Sequence, residues 1–105
     1  MSRHSVTTTT KRGDEVSVVI GYDRPMRCVF CTVQHGEDML YSNLSDVRAG
    51  TSQQDVRYYE RVLARRGITI PGVMYEQVEN DQDFNVGNRL VSYTPDGAVI
   101  KENLP

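Results

Sequence analysis

The stretch Ser52 to Gly67, S-Q-Q-D-V-R-Y-Y-E-R-V-L-A-R-R-G, constrains the fold more than any other, because start, face and stop signals of one helix coincide in it. Ser52 can accept from the unpaired N–H groups of a first turn, and Asp55 adds a carboxylate to the positive end of the helix dipole. Val56, Tyr59, Val62 and Leu63 recur at steps of three and four, which makes one apolar stripe. Arg65 and Arg66 occupy the last turn, Gly67 supplies a left-handed stop, and Ile68 is placed to fold back onto the apolar turn before it.

The residues on either side read as β-structure. Val16, Val18 and Ile20 alternate with Ser17, Val19 and Gly21, giving a strand that breaks at Tyr22-Asp23-Arg24-Pro25. Arg27 to Gln34 returns as its hairpin partner, apolar on both faces and so central in a sheet, and Met39 to Ser42 is a short third strand. After the helix, Val73 to Glu79 reads as another strand. Arg89 to Thr94 and Ala98 to Glu102 form a hairpin across Pro95-Asp96-Gly97. Short turns make neighbours antiparallel. The expected architecture is therefore a two-layer α+β domain over residues 15–105, in β-β-(β)-α-β-β-β order, with a mostly antiparallel sheet and one helix on one face. Residues 1–14 are polar, include four consecutive threonines and show no apolar period, so they are expected to be a flexible arm, basic at Arg3, Lys11 and Arg12.

Charge decides where a function could sit. The net charge of −2 hides a basic helix, with four basic against two acidic residues over 52–67, and an acidic end, with two against six over 68–105. Arg57, Arg61 and Arg65 each advance about 40° around the helix and form a ridge opposite the apolar stripe. Tyr58 lies toward the edge of that stripe, and Tyr with Arg is the pairing enriched where proteins meet. Asp81 and Asp83 make a secondary acidic patch. Their D-x-D-x-N-x-G spacing departs from a calcium loop, with Gly87 one place late and Ser92 where a bidentate Glu belongs.

The sharpest local pattern is Cys28-Val29-Phe30-Cys31 with His35, C-x-x-C-x-x-x-H. Zinc is the one cofactor it suggests, but a second pair of ligands is missing. As a redox dithiol it would need a helix N-terminus, and its β-branched and aromatic neighbours argue for a strand, where residues three apart point to opposite faces. No Gly-rich phosphate loop, nucleophile elbow or H-E-x-x-H occurs, and no catalytic residue can be assigned. No apolar run approaches a membrane span and no signal-peptide core is present, so the expected compartment is the cytoplasm, with the cysteines as thiols.

The leading expectation is a small non-enzymatic binding protein of bacterial or mobile-element type. It would act as an inhibitor or adaptor on a protein partner through Arg57, Tyr58, Arg61 and Arg65, with a homodimer through an exposed strand edge as one arrangement. A nucleic-acid-binding accessory protein using the ridge and the basic arm is the second reading. A metal- or thiol-dependent small enzyme built on Cys28, Cys31 and His35 is the third.

Overall fold

The computed structural model describes residues 1–50 and 55–103. Six strands form one sheet in the order β4-β3-β2-β1-β5-β6, with β1 Ser2–Thr9, β2 Glu15–Asp23, β3 Cys28–His35, β4 Asp38–Ser42, β5 Arg89–Tyr93 and β6 Val99–Asn103. Two helices, α1 Val56–Arg65 and α2 Gly72–Asp83, sit between β4 and β5 in the chain and cover one face of the sheet. The fold is α+β, and every strand pairing is antiparallel except that of β1 with β5.

The segment expected as a mobile arm is the strand β1, inside the sheet between β2 and β5. Ser2, His4 and Val6 alternate inward and are buried, while the β-branched Thr7 and Thr9 face solvent on the other side. Val6 lies opposite Val18 on one flank and Tyr93 on the other. The outward reading failed because two of the three inward residues are polar, and their hydrogen-bond partners are supplied by distant segments.

A second correction concerns Val73 to Glu79, which is not a strand but the first part of α2. Met74, Tyr75, Val78 and Asp81 are its buried positions, a helical spacing in which the fourth member is charged. Pro71 precedes the first turn, where a missing N–H costs nothing, and its carbonyl accepts from Met74 N at 3.0 Å. The sheet therefore carries two helices, not one.

Helix α1 begins at Val56, capped by the Asp55 carboxylate, which accepts from Arg57 N at 2.9 Å. Ser52, the residue expected as cap, lies outside the described residues. At the other end Gly67 takes φ +73°, and Ile68 N bonds back to Leu63 O at 2.9 Å with its side chain buried. Val56, Tyr59, Val62 and Leu63 seat α1 in a core shared with Ile20, Val29, Cys31 and Val33 of the sheet and with Met74 and Val78 of α2. Among the described residues no helix is long and apolar enough to cross a membrane.

One glycine is required by close approach. A Cβ on Gly21 would fall inside van der Waals contact of the Ser2 carbonyl oxygen and 2.8 Å from the Phe30 ring. Because the nearer obstacle is main chain, Gly21→Ala has to push β1 away from β2. We expect a loss of about 1–3 kcal/mol, read as a lower urea midpoint with an unchanged m-value. An unshifted midpoint would mean that the two strands yield without cost.

Candidate functional site

The arginine ridge of α1 is divided by the ion pairs its members make. Arg57 reaches Glu60 at 3.2 Å and Glu79 of α2 at 2.9 Å, and its guanidinium lies 5.4 Å from the centre of the Tyr75 ring. It is a tie between the two helices. Arg61 pairs with the cap residue Asp55 at 3.3 Å. Arg65, one turn further, stands instead at the wall of a cleft of about 550 Å³ that runs between α1 and the sheet edge at β4.

One wall of this cleft is residues 39–42 of β4, and the other is Tyr58, Val62, Arg65 and Arg66 of α1. A β-bulge next to Val33 leaves Leu40 without a partner across β3 and turns it outward. Arg66 fills the gap: its Nη1 donates to the Leu40 carbonyl at 3.1 Å, and its guanidinium lies 5.2 Å from the Tyr41 ring centre. The end of the cleft is Asp46 with Arg48 of the 3₁₀ turn Val47–Gly50 that follows it.

Asp46 is the only carboxylate among the lining residues, and it is already committed. Its Oδ2 accepts from the Tyr41 and Tyr58 hydroxyls at 2.7 Å each, and its Oδ1 accepts from Arg48 N at 3.1 Å. The Tyr58 and Tyr41 hydrogen bonds hold the Asp46 carboxyl below its usual range, so it is ionised at neutral pH. Both tyrosines respond in the opposite sense. Burial first, then the Asp46 bond, pushes Tyr41 up, and the Asp46 bond does the same for Tyr58. Tyr58, expected at the rim of the apolar stripe, is thus buried, and its hydroxyl fixes the cleft floor.

A second cleft of about 460 Å³ adjoins the first and shares Leu40, Arg65 and Arg66 with it. Its far wall is the β1–β2 turn, with Arg12 and Asp14. That turn is held against the end of α1 by a main-chain bond from Lys11 N to Gly67 O at 3.0 Å. Arg12, Arg48, Arg65 and Arg66 are all exposed. Sequence spacing marks Arg65 as a contact residue and Arg66 beside it as a last-turn cation; Arg12 and Arg48 come from segments far from them in the chain.

Asp81 and Asp83 do not form a surface patch. Asp83 is exposed at the end of α2, whereas Asp81 is buried at the centre of a polar network. Its Oδ2 is 2.6 Å from His4 Nε2, and its Oδ1 accepts from Arg89 Nη1 at 3.0 Å. His4 Nδ1 lies 2.8 Å from the Tyr93 hydroxyl, and Arg89 Nη2 reaches Glu102 at 2.8 Å. One tautomer, with the proton on Nε2, serves both bonds of the imidazole. The order Tyr93–His4–Asp81 resembles a proton relay, but His4 is 0 % exposed, Asp81 1 % and Tyr93 3 %, so no substrate reaches it. It acts as a structural tie among β1, β5 and α2.

The cysteine–histidine pattern is not brought together either. Cys31 faces the core, where burial pushes its thiol up to about 12, and Cys28 lies on the opposite face of β3, raised by burial and then by Asp23. His35 is exposed, with Nδ1 2.7 Å from the Glu15 carbonyl. Among the described residues no group of three or more His, Cys, Asp or Glu side chains is arranged to hold a metal ion. Thiols held protonated in this way are poor nucleophiles and poor ligands.

The chemistry open to the paired clefts is recognition of negative charge. Guanidinium groups offer planar forks of N–H donors to carboxylate or phosphate, and exposed Met39 and Leu40 add apolar surface beside them. Comparison with protein-family models, with curated proteins and with solved structures finds no match to this chain.

Proposed function

We propose that the chain is a small non-enzymatic binding protein, of inhibitor or adaptor kind, that captures an acidic segment of a protein partner between β4 and the C-terminal end of α1. The observation that carries this reading is the cleft in which Arg48, Arg65 and Arg66 meet a single carboxylate, Asp46, already saturated by two tyrosine hydroxyls. An acidic side chain entering there meets net positive charge and no unsatisfied acid. Met39 at 52 % and Leu40 at 44 % exposure give the apolar contact that a protein segment, rather than a bare phosphate backbone, would use. The net charge of −2 also weighs against a general affinity for nucleic acid. Two unbridged cysteines fit a cytoplasmic setting.

Recognition by side chains is favoured over strand addition. The bulge at Leu40 and the Arg66 bond to its carbonyl blunt the β4 edge, and a bulge beside Tyr93 together with Lys101 does the same at β6. Pairing of two copies edge to edge meets the same obstacles.

The test is affinity capture from the source cells with wild-type protein and with Arg48→Glu/Arg65→Glu. Both residues are exposed, and thermal unfolding of the two forms is measured alongside capture so that lost binding is not mistaken for lost folding. Proteins recovered by the wild type and lost with the double variant support the reading. Recovery of the same proteins by both forms, or recovery that nuclease treatment abolishes, would reject it, the latter in favour of nucleic acid.

A further inference from the structure

We infer that the acidic partner segment is read in two parts, one on either side of Arg66, with Arg12 of the β1–β2 turn as the second anchor. This rests on the binding proposed above and adds where the segment runs. The two clefts are contiguous, because Leu40, Arg65 and Arg66 line both. One half offers Arg48 with the Tyr41 and Tyr58 floor, and the other offers Arg12 beside Ile68 and Gly67.

The half containing Arg12 is held in register by main chain rather than by chance of side-chain rotation. Lys11 N donates to Gly67 O, Gly67 takes φ +73°, and the turn is closed on itself by Thr10 N to Asp14 O at 2.8 Å and Gly13 N to Thr10 O at 2.9 Å. The same glycine that ends α1 thus receives the turn that carries Arg12. A Cβ at Gly67 would meet Lys11 Cβ at 3.4 Å, so the fit of turn to helix end is close.

Charge fixes the polarity of the occupant. Across both clefts the lining residues include four arginines, Arg12, Arg48, Arg65 and Arg66, against Asp14 and the committed Asp46. Arg66 is anchored at the boundary by the Leu40 carbonyl and the Tyr41 ring, which uses one N–H of its fork and leaves the guanidinium pre-oriented. An occupant that spans the boundary therefore carries two acidic clusters separated by an apolar residue that lies on Leu40.

An extended chain of roughly twelve residues spans about 40 Å, enough to cross a molecule whose longest extent is 36 Å. Random peptides of that size, displayed and selected on the wild-type chain with counter-selection on Arg12→Glu/Arg48→Glu, supply the probe. The enriched peptides are then measured by fluorescence anisotropy against wild type and against each single charge reversal. The expected result is enrichment of peptides with two acid clusters, and a loss of roughly tenfold in affinity for Arg12→Glu and for Arg48→Glu alike. Deleting one acid cluster should abolish sensitivity to one of these variants and leave the other. Arg12→Gln and Arg48→Gln should give smaller losses in the same order, with unchanged circular dichroism.

If binding falls with Arg48→Glu and is indifferent to Arg12→Glu, the two-part surface is refuted while capture at the first cleft stands. If acidic peptides are not enriched, or bind all three forms equally, the acidic-partner reading itself is refuted.

Discussion

Asp81→Ala should lose about 3–5 kcal/mol of folding free energy, the combined cost of leaving two donors, the His4 Nε2–H and an Arg89 N–H, without their acceptor in a buried site. Against a total of about 5–15 kcal/mol for a domain of this size, that brings the chain close to unfolding at room temperature. Asp81 joins four elements: His4 comes from β1, Arg89 from β5, Glu102 from β6 through Arg89, and Asp81 itself from α2. Without the carboxylate, the His4 Nε2 proton and one Arg89 N–H face a site that water cannot easily enter. Asp81→Asn keeps the shape but brings a donor where an acceptor is needed, and its loss should be smaller than that of alanine. Urea unfolding of the two variants decides the matter. A loss under about 1 kcal/mol for Asp81→Ala would show the network to be incidental.

The same group sets an acid limit. Burial pushes the Asp81 carboxyl up, but hydrogen bonds from His4 and Ser2, the proximity of His4 and the Arg89 bond outweigh it, so its folded pKa lies below the ordinary value. A depressed folded pKa contributes stability above the unfolded value of about 3.9, and that stability drains away as pH falls through the folded value. The wild type should therefore lose urea midpoint below about pH 4 more steeply than Asp81→Asn does.

This network also explains which parts of the fold could be read in advance. Helix α1 was legible because its apolar stripe, basic last turn and Gly67 stop lie within a few residues of one another. The hairpins β2–β3 and β5–β6 were legible for the same reason, with turn and alternation side by side. Strand β1 was not, because Ser2 and His4 point inward and are satisfied by Tyr22, Tyr93 and Asp81, residues 20 to 89 positions away. Helix α2 was missed for the complementary reason. Its inward face ends in Asp81, so the apolar period that would mark a helix stops after Val78, and a run that short passes for a strand. The basic clefts were half legible: the last turn of α1 places Arg65 and Arg66 side by side, whereas Arg12 reads as part of a polar arm and Arg48 has no local pattern to mark it. The fold, not sequence spacing, brings Arg12 and Arg48 to either side of that pair.

Tyr59→Ala should cost about 3–5 kcal/mol, the range for deleting a large aromatic from a packed core. Tyr59 is fully buried at the centre of the α1 seat, edge-on to Tyr58 with ring centres 5.3 Å apart and an interplanar angle of 82°. Its hydroxyl donates to the Val29 carbonyl at 3.2 Å, on the stretch of β3 that β4 does not reach. Two effects are therefore mixed in the alanine variant, and Tyr59→Phe separates them. Phenylalanine keeps the ring and should lose only about 1–3 kcal/mol, for a buried carbonyl left without its donor. Because Tyr58 reaches Asp46 on the cleft floor, loosening Tyr59 should also disturb the arrangement that presents Arg48 and Arg65. Tyr59→Ala is thus expected to weaken capture of an acidic peptide under conditions where it remains folded, while Tyr59→Phe leaves capture intact. Equal losses of stability for the two variants would mean that the hydroxyl, not the packed ring, holds α1 on the sheet. Undiminished capture by Tyr59→Ala would separate the binding surface from the core beneath it.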